Sequence, residues 1–250
     1  MRRRQFVQTA PAAVAFALVG CGGGGGGGDS VALDPLSEDL IDDGTGRKIP
    51  RPTSSTGSVS GTGYPFGSRK DAYVPGTITP TNRTNAQMDA ELKAKYDAWK
   101  RALVVSVPTV AGGLAIRFHS NEYLCVSEGM GYGMLLAVLF AGHDPGAKAL
   151  FDGLLTTVRA RPARGTIIHY GPWGKDLMDW RLRLDGLSSD PNNVGWNAMD
   201  GDLDIAMALL MADRQWGSTG QWNYLQEGRN TIYAIKMMNM KEDGTTKGLP

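Results

Sequence analysis

From about residue 83 onward the sequence predicts an all-α fold, an inner layer of helices wrapped by an outer one. Three observations predict it. Apolar residues recur at three- and four-residue steps along several stretches, as on amphipathic helices. Two other stretches are apolar on every side, the mark of helices buried by their neighbours. No run shows the sustained alternation of a strand. Hydrophobic residues make up 42% of the 250, enough apolar content for a core, so wholesale disorder is excluded.

In chain order, the first element is a leader over residues 1–20. Arg2, Arg3 and Arg4 precede a short apolar stretch from Ala10 to Val19, the form of a secretory signal. That stretch is about half of the roughly 20 residues a membrane-spanning helix needs, which argues against a transmembrane anchor. Arg3-Arg4-Gln5-Phe6-Val7 resembles a twin-arginine export signal. Leu18-Val19-Gly20-Cys21 resembles a bacterial lipobox, which implies lipidation of Cys21 and export to the cell envelope, with the membrane as a partner through that lipid. Residues 21–82 follow as a tether. Gly22 to Gly28 form an unbroken run with high backbone entropy, and the tract continues rich in Gly, Pro and Ser without helical or strand period.

Five helices are expected after the tether. Met88, Leu92, Tyr96, Trp99 and Leu103 make an amphipathic face from Asn85 to about Val104. Glu128 to Ala141 is apolar all round, ending Met-Leu-Leu-Ala-Val-Leu-Phe-Ala. A third helix runs from about Pro145 to Arg161, with Pro145 suited to its first turn. Asp202 to Trp216 is again apolar nearly all round, and Trp222 to Met240 is amphipathic. Both all-apolar helices open on acids: Glu128 on the first, Asp200, Asp202 and Asp204 on the second. Carboxylates offset the helix dipole by roughly 0.3–1 kcal/mol, which accounts for acids there without any chemistry. At the mouth of an inner helix, however, they also stand where a layered helical barrel has its cleft, and neighbouring charge and burial there shift proton affinity.

Two long motifs then carry a family resemblance. Ser127-Glu128-Gly129-Met130-Gly131-Tyr132-Gly133-Met134-Leu135-Leu136-Ala137 and the segment from Asn197 to Trp216 resemble, in order and separation, those of glycoside hydrolase family 8. Between them Leu177-Met178-Asp179-Trp180-Arg181 is similar to a cleft-lining segment of that family. Met199 departs from the usual Ser or Thr, and Arg159 to Tyr170 fits poorly. The resemblance covers roughly 83–250 and implies an (α/α)6 barrel that cleaves β-1,4-linked glucan, xylan or chitosan with inversion and without a cofactor. It makes Glu128 the proton donor and Asp200 the second catalytic acid. It also implies a water-activating base beyond Pro250. An (α/α)6 barrel needs twelve helices where five are legible, so about the N-terminal half is expected here, in a truncated member. A complete barrel would act as a monomer.

The residue types suit that chemistry. One carboxylic acid protonates the leaving oxygen and one carboxylate activates water. An acid must hold its proton until transfer, so Glu128 is expected to be buried beside Asp200. Asp200 and Asp202 diverge by about 200° once helical, so only one faces a reacting sugar, and Asp200 is the choice. Asp202 and Asp204 are expected to cap the helix or hold the site, Asp202 also counting among substrate-binding residues with Tyr132, Trp173, Trp180 and Arg181. Flat aromatic rings match the apolar faces of pyranose sugars. Trp216 and Trp222 are expected in the core.

Other chemistries are excluded. Lys and Arg number 26 against 25 Asp and Glu, a balance that gives no electrostatic case for nucleic acid. Asp200-x-Asp202-x-Asp204 lacks the glycine and the bidentate acid of a calcium loop, since Ile205 and Met211 stand there. Gly129-x-Gly131-x-Gly133 has neither dinucleotide spacing nor a preceding strand. His119, His143 and His169 show no metal-ligand spacing, so no metal is expected, and Cys125 reads as buried filler. Two function classes remain: an endo-acting glycanase, and an inactive surface lipoprotein that at most binds glycans.

Overall fold

Thr84 starts the first helix by a capping box. Its hydroxyl accepts from the Gln87 amide, and the Gln87 side chain accepts from the Thr84 N–H at 2.8 Å. In the computed structural model the described residues are 40–42, 48–50, 76–78, 81–163, 171–188 and 195–241. The leader, Cys21 and most of the tether lie outside them, as does the stretch after Lys241. Helix α1 spans Asn85–Leu103 and buries only Tyr96 fully, as an outer amphipathic helix should.

Helix α2 spans Ser127–Leu139, α3 Ala147–Ala160, α4 Met199–Trp216 and α5 Tyr224–Asn239, with a 3-10 turn at Gly171–Asp176. All five expected helices are present. Two starts differ. Pro145 lies before the cap residue Gly146, whose N–H donates to the Asp144 carboxylate, so the helix begins after the proline. Helix α4 begins at Met199, which draws Asp200 into its first turn.

The expectation of no strands is corrected. Strands β1 (Leu40–Asp42) and β2 (Lys48–Pro50) pair inside the tract read as tether, separated by five residues, a hairpin length. Strands β3 (Val104–Ser106) and β4 (Leu114–Ile116) pair antiparallel between α1 and α2. Strand β5 (Tyr123–Val126) runs into α2 and pairs with β6 (Arg181–Arg183). Ladders of three or four residues are too short to show a period-2 signal, and the partners of the β5–β6 ladder also lie far apart in sequence.

Helix α2 packs between α3 and α4, and α5 packs on the far side of α4. Met130, Met134 and Val138 of α2, Phe151, Leu154 and Val158 of α3, and Ile205 and Leu209 of α4 form the main core. Cys125 and Leu182 from the β5–β6 ladder close it, and the buried Cys125 thiol is pushed up to about 12, chiefly by burial. Trp216 and Trp222 pack against this core. The two apolar helices are not covered all round, however. Leu139 of α2 is 41% exposed, and Leu203 and Met207 of α4 are 48% and 56% exposed. Their neighbours cover one side and leave an apolar face open among the described residues.

Candidate active site

Two glycines bring the first turns of α2 and α4 together. A Cβ on Gly131 would stand 2.6 Å from the Asp204 Cβ and 3.1 Å from the Gly201 carbonyl oxygen. A Cβ on Gly201 would stand 2.7 Å from the Glu128 backbone nitrogen. Only hydrogen at both positions lets the backbones approach this closely. The crossing sets Glu128 of α2 beside Asp200 and Asp204, which share a face of α4 at a four-residue step.

The Tyr132 hydroxyl, one turn along α2, donates to Glu128 Oε1 at 3.0 Å. That hydrogen bond and the Glu128 charge raise the phenol's pKa, with smaller effects from burial, Asp204 and Asp200, so Tyr132 stays a donor across neutral pH. Glu128 is exposed, contrary to the burial expected of it, because it sits at the open end of α2. Asp200 is exposed too and accepts from the Gly201 N–H at 2.8 Å. The Ala198 cap residue has no side-chain acceptor, so this carboxylate serves one of the orphan donors of the helix start. The Asp204 carboxyl is held above its ordinary value, first by burial and then by the charges of Asp200 and Glu128. Three acids therefore share the mouth. The four-residue step from Asp200 was the sequence signal for Asp204, which had been assigned a capping or holding part.

Two expected substrate contacts are corrected. Asp202 is 1% exposed; its Oδ1 accepts from the Met178 N–H at 2.9 Å and its Oδ2 from the Asn197 amide at 2.8 Å. It ties the segment before α4 to the one before β6, and burial pushes its carboxyl up to about 7 against those two bonds. Trp173 is 6% exposed and stacks near Tyr233 at 6.3 Å in a second core cluster with Leu177, Ala206 and Ile235. The rotation of α4 and the 3-10 turn point both side chains inward.

Trp180 is 46% exposed, and its carbonyl accepts from the Ser127 N–H at 2.7 Å, which fixes it at the start of α2. The Arg181 guanidinium lies 4.5 Å from the Trp180 ring centre and 4.3 Å from that of Tyr123. Asp179, fully buried, accepts from the Ser188 hydroxyl and from the Arg181 N–H, and so anchors the turn that carries both residues. Among the described residues no group of three His, Cys, Asp or Glu side chains is arranged to hold a metal ion. The arrangement offers a carboxyl fixed by a phenol, two neighbouring acids, and an exposed aromatic face.

Residues 84–250 match the family described as glycosyl hydrolases family 8. The chain is 39% identical over 175 residues to a beta-glucanase of Niallia circulans, covering 70% of this chain and 39% of that protein. It is 34% identical over 182 residues to an endoglucanase of Bacillus sp. (strain KSM-330), covering 69% of this chain and 37% of that one. Among solved structures it resembles the beta-1,3-1,4-glucanase from Paenibacillus sp. X4, with a TM-score of 0.59 and 38% identity over 68% of this chain and 42% of that chain. The chain thus spans about two fifths of the length of these relatives.

Proposed function

Because the chain belongs to family 8 of the glycosyl hydrolases, we propose that the acids at the mouths of α2 and α4 serve hydrolysis of a β-1,4-linked polysaccharide within its chain, with inversion. Cellulose-like glucan, xylan and chitosan are the candidate polymers, and the glucanase names of the relatives favour glucan. The observation that carries this reading is the crossing that places Glu128, Asp200 and Asp204 together, with the exposed Trp180 tied by its carbonyl to the start of α2.

Glu128 acts as the general acid. Tyr132 occupies its Oε1, which leaves Oε2 to hold the proton and deliver it to the glycosidic oxygen as the bond to C1 breaks. Asp200 keeps one oxygen on Gly201 N–H and presents the other to the sugar, where its charge stabilises the positive charge developing at C1. Water attacks C1 from the opposite face and yields its proton to a second carboxylate, which gives inversion.

The test is reducing-sugar release from a panel of the three polymers. Glu128→Gln keeps the shape and the Tyr132 contact but carries no transferable acid proton, so release should fall by about 10²–10⁴-fold. Equal release by wild type and variant refutes the role of Glu128. Polymer binding by the wild type with no release favours the second reading, glycan binding through Trp180 without hydrolysis.

A further inference from the structure

The outer face of the β5–β6 ladder carries a surface pocket of about 460 Å³, lined by Glu122, Tyr123, Arg183, Leu184 and Asp185. The ladder itself explains the grouping. Tyr123 pairs with Arg183, Cys125 with Leu182 and Val126 with Arg181, and a bulge absorbs Leu124. Directly opposed residues share a face, so Cys125 and Leu182 turn into the core while Tyr123, Arg181 and Arg183 turn out together. Without the bulge Tyr123, two residues from Cys125, would point with it into the core and the face would lose its aromatic ring.

The pocket wall is built in advance. Arg183 donates to Asp185 Oδ2 at 2.6 Å, and Asp185 Oδ1 accepts from the Leu187 N–H at 3.0 Å. The Asp185 carbonyl takes the Thr109 hydroxyl, and the Gly186 carbonyl takes Arg161 Nε at 2.7 Å. Gly186 turns at φ +76°, where a Cβ would strike Val107. Leu184 nevertheless stays 51% exposed. The turn thus sets an apolar side chain beside a tyrosine ring and three charged groups, a surface with both a flat apolar patch and hydrogen-bonding groups.

The charges choose its chemistry. Glu122 and Asp185 repel an anion, and Arg183, with Arg181 behind it, repels a cation. A neutral polyol can donate hydroxyls to the carboxylates, accept from the guanidinium, and lay an apolar ring face on Tyr123 and Leu184. Arg181, against both Tyr123 and Trp180, links this pocket to the start of α2, where Glu128 stands.

We infer that this pocket is a distal sugar subsite, which holds a ring of the same β-linked chain that passes over Trp180 to the carboxylates. The inference rests on the glycan reading of the Glu128 site.

It is tested by NMR titration of the 250-residue chain carrying Glu128→Gln, which leaves oligosaccharides uncut, with cellotriose and cellohexaose. Both sugars should shift the Trp180 indole signal. Cellohexaose alone should also shift the Leu184 methyl and Arg183 Nε signals, and it should bind about tenfold more tightly. Glu122→Ala with Leu184→Ser, both at exposed positions, should abolish that tenfold gain and leave cellotriose affinity unchanged. If the double variant binds cellohexaose as tightly as its parent, or Leu184 never shifts while Trp180 does, the subsite is overturned and the glycan site stands. If neither sugar shifts any signal, the glycan reading itself falls and the subsite with it.

Discussion

Asp200 and Asp202 stand two residues apart and live in opposite environments. Asp200 is exposed at the mouth, whereas Asp202 is sealed with both oxygens occupied. The divergence was legible, because successive helical residues turn by about 100°. That Asp202 is sealed inside was not, since its partners Met178 and Asn197 come from segments outside the helix. Its raised pKa has a consequence for stability. Below the ordinary carboxylate value of 3.8 both folded and unfolded chains carry the proton. Between there and about 7 the unfolded chain ionises while the folded one retains its proton, so the folded state loses stability as pH rises. The melting temperature should therefore drop from about pH 4 to about pH 8 through this group, by the equivalent of a few kcal/mol. Asp202→Asn should flatten that slope. An unchanged slope in the variant would assign the pH dependence to other groups.

The crossing of α2 and α4 is the element on which the site depends, and glycine governs it. Gly131→Ala forces a methyl against Asp204 and the Gly201 carbonyl, and should destabilise the fold by about 1–3 kcal/mol in denaturant titration. Gly129→Ala, in the same helix, meets nothing closer than 3.8 Å and should be neutral or stabilise by up to about 1 kcal/mol. Equal effects of the two would mean that helix propensity, not contact, governs these positions. Helix existence was legible throughout, from periodicity in α1 and α5 and from continuous apolar runs in α2 and α4. The short ladders were not: all are too brief for a period, and pairing Tyr123 with Arg183 joins residues that no local window contains.

For the molecule as a whole, the layered order was expected, and so was an open apolar face, because half a barrel leaves the inner sides of its apolar helices uncovered. Leu203 and Met207 stand one turn apart on α4 with their side chains half in water, and Leu139 at the end of α2 is exposed as well. An apolar face of this kind promotes association. The 250-residue chain should self-associate in sedimentation velocity and bind ANS. Leu203→Gln with Met207→Lys should shift it toward monomer and lower the dye signal. A wild-type chain that stays monomeric and dark would show that the face is covered. The helical class, the family, and the acids that open α2 and α4 are readable without coordinates, because they are written in local period and contiguous motifs. Which acids share the mouth, the inward turn of Trp173 and Asp202, and the joining of Tyr123 with Arg183 on one surface emerge only on folding. Each of those depends on what a distant segment packs against a side chain, and burial is a property of the pair rather than of either residue.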